Sequence, residues 1–256
     1  MKKVEKLLIL FIAVVGYFFL VFIQLGLVDE LLKSLHLRII IVINKVVFLI
    51  VSWFYIKAIL NKLNLDDSKF KPNIKFSDIY YFLFGGAIPL VLSAASLFIA
   101  SIIFKEFDYQ LIISTLTIKH FFEALVTAFN EELLFRALIF YSLYRITGKL
   151  FFSAFLSSIF FVFMHFEMIE EDIAYLYISN VLIGSLLLSY IYFLTKSIWS
   201  SIGLHALNNT IENVFDFTYE DNFNKVLYLS AYTILLILIF LLFVYIQRKK
   251  CCRLFE

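Results

Sequence analysis

Long runs of apolar residues dominate this sequence and restrict what the chain can fold into. A helix needs about 20 mostly apolar residues to cross the roughly 30 Å hydrocarbon layer of a bilayer. Eight runs approach that length, and they cover residues 7–28, 37–60, 79–104, 118–144, 150–166, 173–194, 198–217 and 226–246. We therefore predict an all-α fold, a polytopic membrane helix bundle of about eight transmembrane helices.

The composition excludes several other classes of protein. Of the 256 residues, 62% are hydrophobic and 16% are charged, whereas soluble domains have about 45–50% apolar and about 25% charged residues. The net charge is only +2, and no basic block indicates a nucleic-acid partner. We predict that the lipid bilayer surrounds one integral membrane domain, residues 1–256, whose core with the chemically distinctive residues spans about 119–213.

The distribution of Lys and Arg predicts the orientation of the bundle. With eight spans, and with basic residues near the end of a span counted to the nearer side, fifteen of the 22 basic residues lie on the side that bears both termini and five lie on the opposite side. The other two, Lys45 and Arg136, lie well within spans. Basic residues are enriched in cytoplasmic loops. We therefore expect an integral, multi-pass protein of the cell membrane with both termini in the cytoplasm.

The fourth run contains charged side chains where lipid would otherwise surround it. An ionisable group at the centre of a bilayer costs at least about 2.5–3.5 kcal/mol, so each one needs a partner or a function. The run contains His120, Glu123, Glu131, Glu132 and Arg136. Glu132 and Arg136 are four residues apart in the order that favours an ion pair on a helix, so we assign them to structural support. Glu131 points about 100° away on the same helix and is expected to face a cavity.

Two further runs contain polar residues at a comparable depth. His165 ends the fifth run, and His205 and Asn209 lie one helical turn apart in the seventh. Counted from the cytoplasmic ends of their helices, these residues and Glu131 lie on the order of 14–22 Å into the membrane. The sequence therefore predicts that a carboxylate, two imidazoles and a carboxamide converge in one membrane layer.

Such a set of side chains can hydrolyse a peptide bond with activated water. Glu131 would take a proton from water, His165 would position that water or pass the proton on, and His205 and Asn209 would donate hydrogen bonds to the oxyanion. A metal-dependent mechanism is the alternative, with Glu131, His165 and His205 as ligands of a divalent metal such as zinc. The sequence lacks the His-Glu-x-x-His helix that would indicate zinc directly.

Three short motifs on three separate runs resemble one family of membrane proteases. Residues 131–136 match Glu-Glu-x-x-x-Arg, residues 161–165 match Phe-x-x-x-His, and residues 205–209 match His-x-x-x-Asn. Together they resemble the CPBP family of intramembrane proteases, which is also called the CAAX-protease and bacteriocin-processing, or Abi, family. The resemblance covers roughly residues 119–213.

The resemblance implies an eight-helix membrane endopeptidase. In such enzymes the first Glu and the His of the second motif activate water, and the His and Asn of the third motif stabilise the oxyanion. Carried over to this chain, those residues are Glu131, His165, His205 and Asn209. Relatives of the CAAX prenyl protease type trim prenylated proteins, whereas bacterial relatives resemble processors of peptides or leaders. The expected substrate is thus a small peptide or a membrane-associated precursor.

Two other functions compete with proteolysis. The chain could be a non-catalytic bacteriocin self-immunity protein or a signalling scaffold, with a bacteriocin system or a sensor kinase as its partner. An ion or proton transporter would use the buried carboxylates as a relay, but the polar residues cluster and do not form a trail across the membrane.

Overall fold

The computed structural model describes residues 1–24, 38–65, 76–105, 110–111, 115–166, 173–212, 215–216 and 222–252. Eight helices fill most of these ranges. They are α1 (Lys3–Phe22), α2 (Arg38–Lys62), α3 (Phe76–Ile103), α4 (Thr115–Glu132, continued by Leu133–Phe140 and Tyr141–Thr147), α5 (Leu150–Phe163), α6 (Ala174–Thr195), α7 (Ile198–Glu212) and α8 (Asn222–Cys252). A short strand β1 (Gln110–Leu111) pairs antiparallel with β2 (Phe215–Asp216). The all-α prediction is confirmed, with this two-residue pairing as an addition.

The number of helices agrees with the prediction, but their lengths differ. Within the described ranges, α1, α2, α3, α6 and α8 are long and apolar enough to cross a membrane. Helices α5 and α7 have 14 and 15 residues, fewer than the roughly 20 that a full crossing needs. The chain is thus a multi-pass membrane helix bundle in which five of the eight helices have the length and hydropathy of a span.

The helix ends depart from the predicted ones by a few residues. Helix α4 begins at Thr115 and ends at Thr147, and α8 extends from Asn222 to Cys252, in both cases beyond the apolar run because polar residues continue the helix. The predicted ends at positions 28, 37 and 217 lie outside the described residues.

Two connections of two residues each join consecutive helices tightly. Gly148 adopts φ +73°, and its N–H donates to the Tyr144 carbonyl over 2.8 Å, which ends α4. Lys196 adopts φ +54° and donates in the same way to the Tyr192 carbonyl at the end of α6. These turns fix where α5 and α7 begin.

The chain divides into two compact units. The first comprises Met1–Asn73 and Val126–Ser153, and in it the segment Leu133–Phe140 of α4 packs against α1 and α2. The second comprises Ile74–Leu125 and Ala154–Glu256. One integral membrane domain over the whole chain stays a prediction.

The second unit is built around α3, α6, α7 and α8. Helix α3 packs along α7, and α8 packs against both α6 and α3. Their facing side chains form an apolar core of Leu92, Leu97, Leu187, Leu188, Ile191, Leu204, Tyr228, Tyr232 and Leu236. Helix α7 is therefore held by neighbours on two sides.

Glycines allow α3 and α7 to approach each other closely. A Cβ atom at Gly85 would overlap the carbonyl oxygen of Ser200, and one at Gly203 would overlap the carbonyl oxygen of Phe82. Backbone-to-backbone contact through small residues is a common way of packing membrane helices. Gly203 lies two residues before His205, so this contact also fixes the position of that imidazole along α7.

We predict that Gly203→Ala destabilises the protein, because the new methyl group meets backbone that cannot turn aside. The expected loss is roughly 1–3 kcal/mol, the usual range for overpacking. Gly184→Ala on α6 is the matched control, since its Cβ would lie 4.0 Å from Leu236 Cδ2 in ordinary contact, and it should be neutral or stabilising by up to about 1 kcal/mol. Thermal unfolding of both variants in detergent measures the difference. Equal melting midpoints would contradict the close packing.

Candidate active site

The acidic motif, residues 131–136, coincides with a change in the geometry of α4. After Glu132 the helix changes from α to π, and it keeps the π form over Leu133–Phe140. At its end the Tyr141 N–H reaches the carbonyl of Arg136, five residues back. All eight residues of the π segment are at most 3% exposed. π-Helical turns inside α-helices occur frequently at functional sites.

A fully buried ion pair lies within the acidic motif. Arg136 Nε is 3.2 Å from Glu132 Oε2, and both side chains have no exposed surface. The guanidinium also lies 6.0 Å from the ring centroid of Phe135 and interacts electrostatically with Glu131. The predicted Glu132–Arg136 pair is therefore present, and Arg136 lies within range of both carboxylates. Removing either partner of such a pair would leave an uncompensated buried charge. We therefore keep the assignment of Glu132 and Arg136 to structural support.

Glu131 differs from Glu132 in its surroundings. Its side chain is half-buried, whereas that of Glu132 is fully buried in the ion pair with Arg136. Nearer the start of α4, His120 Nδ1 lies 3.7 Å from Glu123 Oε2, with both side chains substantially exposed. The two adjacent carboxylates of the acidic motif thus have different environments, as their angular separation on the helix predicts.

In the second unit, the backbone fixes the orientation of His165. Its ring Nδ1 is 2.8 Å from the carbonyl oxygen of Phe161, four residues earlier. A carbonyl can only accept, so Nδ1 carries the proton and donates it. A neutral imidazole held in this way has its lone pair on Nε2, the nitrogen that can accept a proton.

Phe161 contacts both imidazoles of the second unit. Its ring stacks on His165 with 4.4 Å between centroids, and it meets the His205 ring edge-on at 5.5 Å. Phe161 is 4% exposed and His205 is 5% exposed. We refer to these three residues as the histidine cluster. The spacing Phe-x-x-x-His has a physical role here, because one residue supplies both the carbonyl that orients His165 and the ring that packs it beside His205.

The polar end of α7 is anchored to α8. The Tyr232 hydroxyl donates to Asn208 Oδ1 over 2.6 Å, and the Thr210 hydroxyl donates to the Ala206 carbonyl. Asn209 lies half-buried one turn after His205. Contacts with α3 and α8 therefore hold the helix that carries the third motif.

The structure distributes the sequence-predicted residues over the two compact units. Glu131 belongs to the first, with Glu132 and Arg136, while His165, His205 and Asn209 belong to the second. The structure brings His165 and His205 together through Phe161, and it brings Glu132 together with Arg136.

Sequence reasoning missed the positioning roles of Phe161 and Tyr232. Phe161 could have been found, since it occupies a motif position four residues before His165. Tyr232 gives no such signal, because 15 tyrosines are spread through the apolar runs.

In the part of the chain that the structure describes, no group of three or more His, Cys, Asp or Glu side chains is arranged to hold a metal ion. One carboxylate and two imidazoles are nonetheless a donor set that zinc accepts. The zinc alternative stays a prediction.

Comparison with known proteins identifies a related family. Residues 113–211 match the family model described as Rce1-like, type II CAAX prenyl endopeptidase. The matched range is less than half of the chain and contains all three motifs. No curated protein and no solved structure matches. The resemblance to the CAAX-protease family is thus confirmed over this segment, and at family level it indicates an intramembrane endopeptidase.

We predict that neutral His165 is the Nδ1–H tautomer, because the Phe161 carbonyl accepts from that nitrogen. ¹⁵N NMR of histidine-labelled protein tests this at a pH where the ring is neutral. The spectrum should contain an unprotonated Nε2 resonance that disappears in His165→Gln. His120, which lies on the exposed turn beside Glu123, is the internal comparison. A protonated Nε2 at His165 would contradict the assigned hydrogen bond.

Proposed function

Because residues 113–211 match a family of CAAX-type intramembrane endopeptidases, we propose that this chain hydrolyses a peptide bond within the membrane. The substrate is a small peptide or a membrane-associated precursor. Besides the family match, the orientation of the His165 ring supports this proposal most strongly. His165 is locked by the Phe161 carbonyl in the form whose Nε2 accepts protons, as a general base or water-positioning group requires.

The proposed reaction uses four side chains. Water attacks the carbonyl carbon of the substrate while its proton passes to the Glu131 carboxylate, with His165 positioning the water. His205 and Asn209 donate hydrogen bonds to the oxyanion that forms on the carbonyl oxygen. The C–N bond then breaks, and the proton held by Glu131 is delivered to the leaving nitrogen. This series of reaction steps needs no Ser or Cys nucleophile and no metal.

The surroundings of Glu131 suit this role. Glu132 forms an ion pair with Arg136, and neither side chain has exposed surface. Glu131, in contrast, is only half-buried. A reacting carboxylate must meet water and substrate, which a fully buried partner of an ion pair does not. We therefore assign catalysis to Glu131 and structural support to Glu132 and Arg136.

The orientation in the membrane is part of the same proposal. Five helices of spanning length support an integral, multi-pass protein. The excess of Lys and Arg on the side that bears both termini supports cytoplasmic termini.

Replacing Glu131 with Gln should abolish processing, because the amide cannot take a proton from water. We would express the wild type, Glu131→Gln and Glu123→Gln at matched levels in membranes, and compare secreted and membrane peptides by mass spectrometry. At least one precursor should accumulate, and its product should vanish, in Glu131→Gln alone. Glu123 is the control because it is an exposed carboxylate on the same helix. Identical peptide profiles in all three strains would refute proteolysis and leave an immunity or scaffold function.

A further inference from the structure

The third motif contains two adjacent carboxamides, and the motif spacing assigns a role to only one of them. His205 is followed by Asn208 three residues later and by Asn209 four residues later, all on α7. Each residue turns an α-helix by about 100°, so Asn208 lies about 60° to one side of His205 and Asn209 about 40° to the other. Residues three and four apart are neighbours on a helix surface. Asn208 and Asn209 therefore flank His205 on α7.

The carboxamide of Asn208 is held in one orientation. The Tyr232 hydroxyl of α8 donates to Asn208 Oδ1 over 2.6 Å. A carboxamide has an accepting oxygen at one end and two N–H donors at the other. Because the oxygen is bound to Tyr232, the direction of the Nδ2 donors is fixed as well. Asn208 is half-buried, whereas Tyr232 is buried, so the carboxamide lies at the edge of the core.

Tyr232 is itself held in place by the second unit. It belongs to the apolar core that α3, α6, α7 and α8 share. Its ring centroid lies 6.0 Å from that of Tyr228, and the Tyr228 hydroxyl donates to Ser93 Oγ on α3 over 3.1 Å. Tyr228 and Ser93 are 8% and 3% exposed. The hydroxyl that orients Asn208 is therefore attached to a tightly packed part of the fold.

A donor that is fixed before the reaction suits the stabilisation of an oxyanion. Negative charge develops on the carbonyl oxygen of the substrate in the transition state, and donors already aimed at that position need no reorganisation. Asparagine side chains are among the groups that act in this way. In the second unit, Phe161 contacts the His205 ring and Tyr232 holds Asn208. Two neighbouring donors of the third motif are thus each fixed by a separate aromatic residue.

We propose that Asn208 is a further oxyanion-binding residue and that Tyr232 is the positioning residue that directs its Nδ2 donors. When water attacks the substrate, an Nδ2–H donates a hydrogen bond to the carbonyl oxygen, beside the donors of His205 and Asn209, and no proton is transferred in this contact. The inference rests on the proposed function, because hydrolysis is what creates the oxyanion. It extends the functional residues to α8, which contains no motif.

Asn208→Asp separates the two ends of the side chain. Aspartate has nearly the same shape and keeps an oxygen that accepts from Tyr232, but it replaces the donating nitrogen with a second oxygen. The probe is an internally quenched peptide that spans the bond identified by comparing wild type with Glu131→Gln. With purified protein, Asn208→Asp and Asn208→Ala should both lower kcat roughly 100–1,000-fold, the effect of removing one oxyanion donor. KM should stay near the wild-type value, because this donor acts in the transition state.

Tyr232→Phe tests the positioning role. It leaves the carboxamide of Asn208 in place and removes the bond that orients it, so kcat should fall less than in Asn208→Asp while KM stays unchanged. Thr233→Val is the matched control. The Thr233 hydroxyl donates to Asn180 Oδ1 over 3.1 Å, which is the same kind of bond between α8 and α6. Its loss should lower the melting midpoint and leave kcat near the wild-type value.

The inference is overturned if Asn208→Asp keeps the wild-type kcat while Glu131→Gln is inactive, because the bond to Tyr232 would then be all that matters at this position. If Asn208→Asp does not fold, the comparison of Tyr232→Phe with Thr233→Val decides. A loss of kcat in Tyr232→Phe alone supports the inference, and equal values of kcat in the two variants overturn it. Full activity of Glu131→Gln would instead refute the proposed function, and the inference with it.

Discussion

A charged side chain that is buried away from water must have a partner, and the Glu132–Arg136 pair is where this chain meets that requirement. The pair lies at the change from α to π geometry in α4, with no exposed surface on either side chain. Without Glu132, the guanidinium of Arg136 would be left beside the half-buried Glu131 in a buried segment. The position and environment of Glu131 therefore depend on this ion pair.

Local rules of sequence explain why much of the fold could be predicted. Apolar runs predict helices because each buries its backbone polar groups internally. Glu132 and Arg136 pair because residues four apart are neighbours on a helix. Gly148 ends α4 because glycine tolerates a positive φ. Eight helices agree with the prediction, and within the described ranges five of them have the length and hydropathy of a span, while α5 and α7 are shorter, at 14 and 15 residues.

Features that depend on packing between distant segments could not be predicted. The residues 133–140 would suit an α-helix equally well, and the π form accompanies packing of that segment against α1 and α2. Tyr17 is one of 15 tyrosines, and nothing local distinguishes it until the fold packs its ring against Phe48 and Tyr55 of α2. Phe161 lies between these cases, since its spacing from His165 was visible but its contact with His205 was not.

Two adjacent carboxylates are assigned different roles, catalysis to Glu131 and structural support to Glu132, and comparing Glu131→Gln with Glu132→Gln tests this division most directly. Each purified variant, reconstituted in vesicles, would be measured for melting midpoint and for the rate of peptide-bond hydrolysis. We expect Glu131→Gln to melt like the wild type and to lose hydrolysis, and Glu132→Gln to lose about 3–5 kcal/mol of stability because Arg136 loses its buried partner. Hydrolysis at the wild-type rate by a folded Glu131→Gln protein would contradict the account.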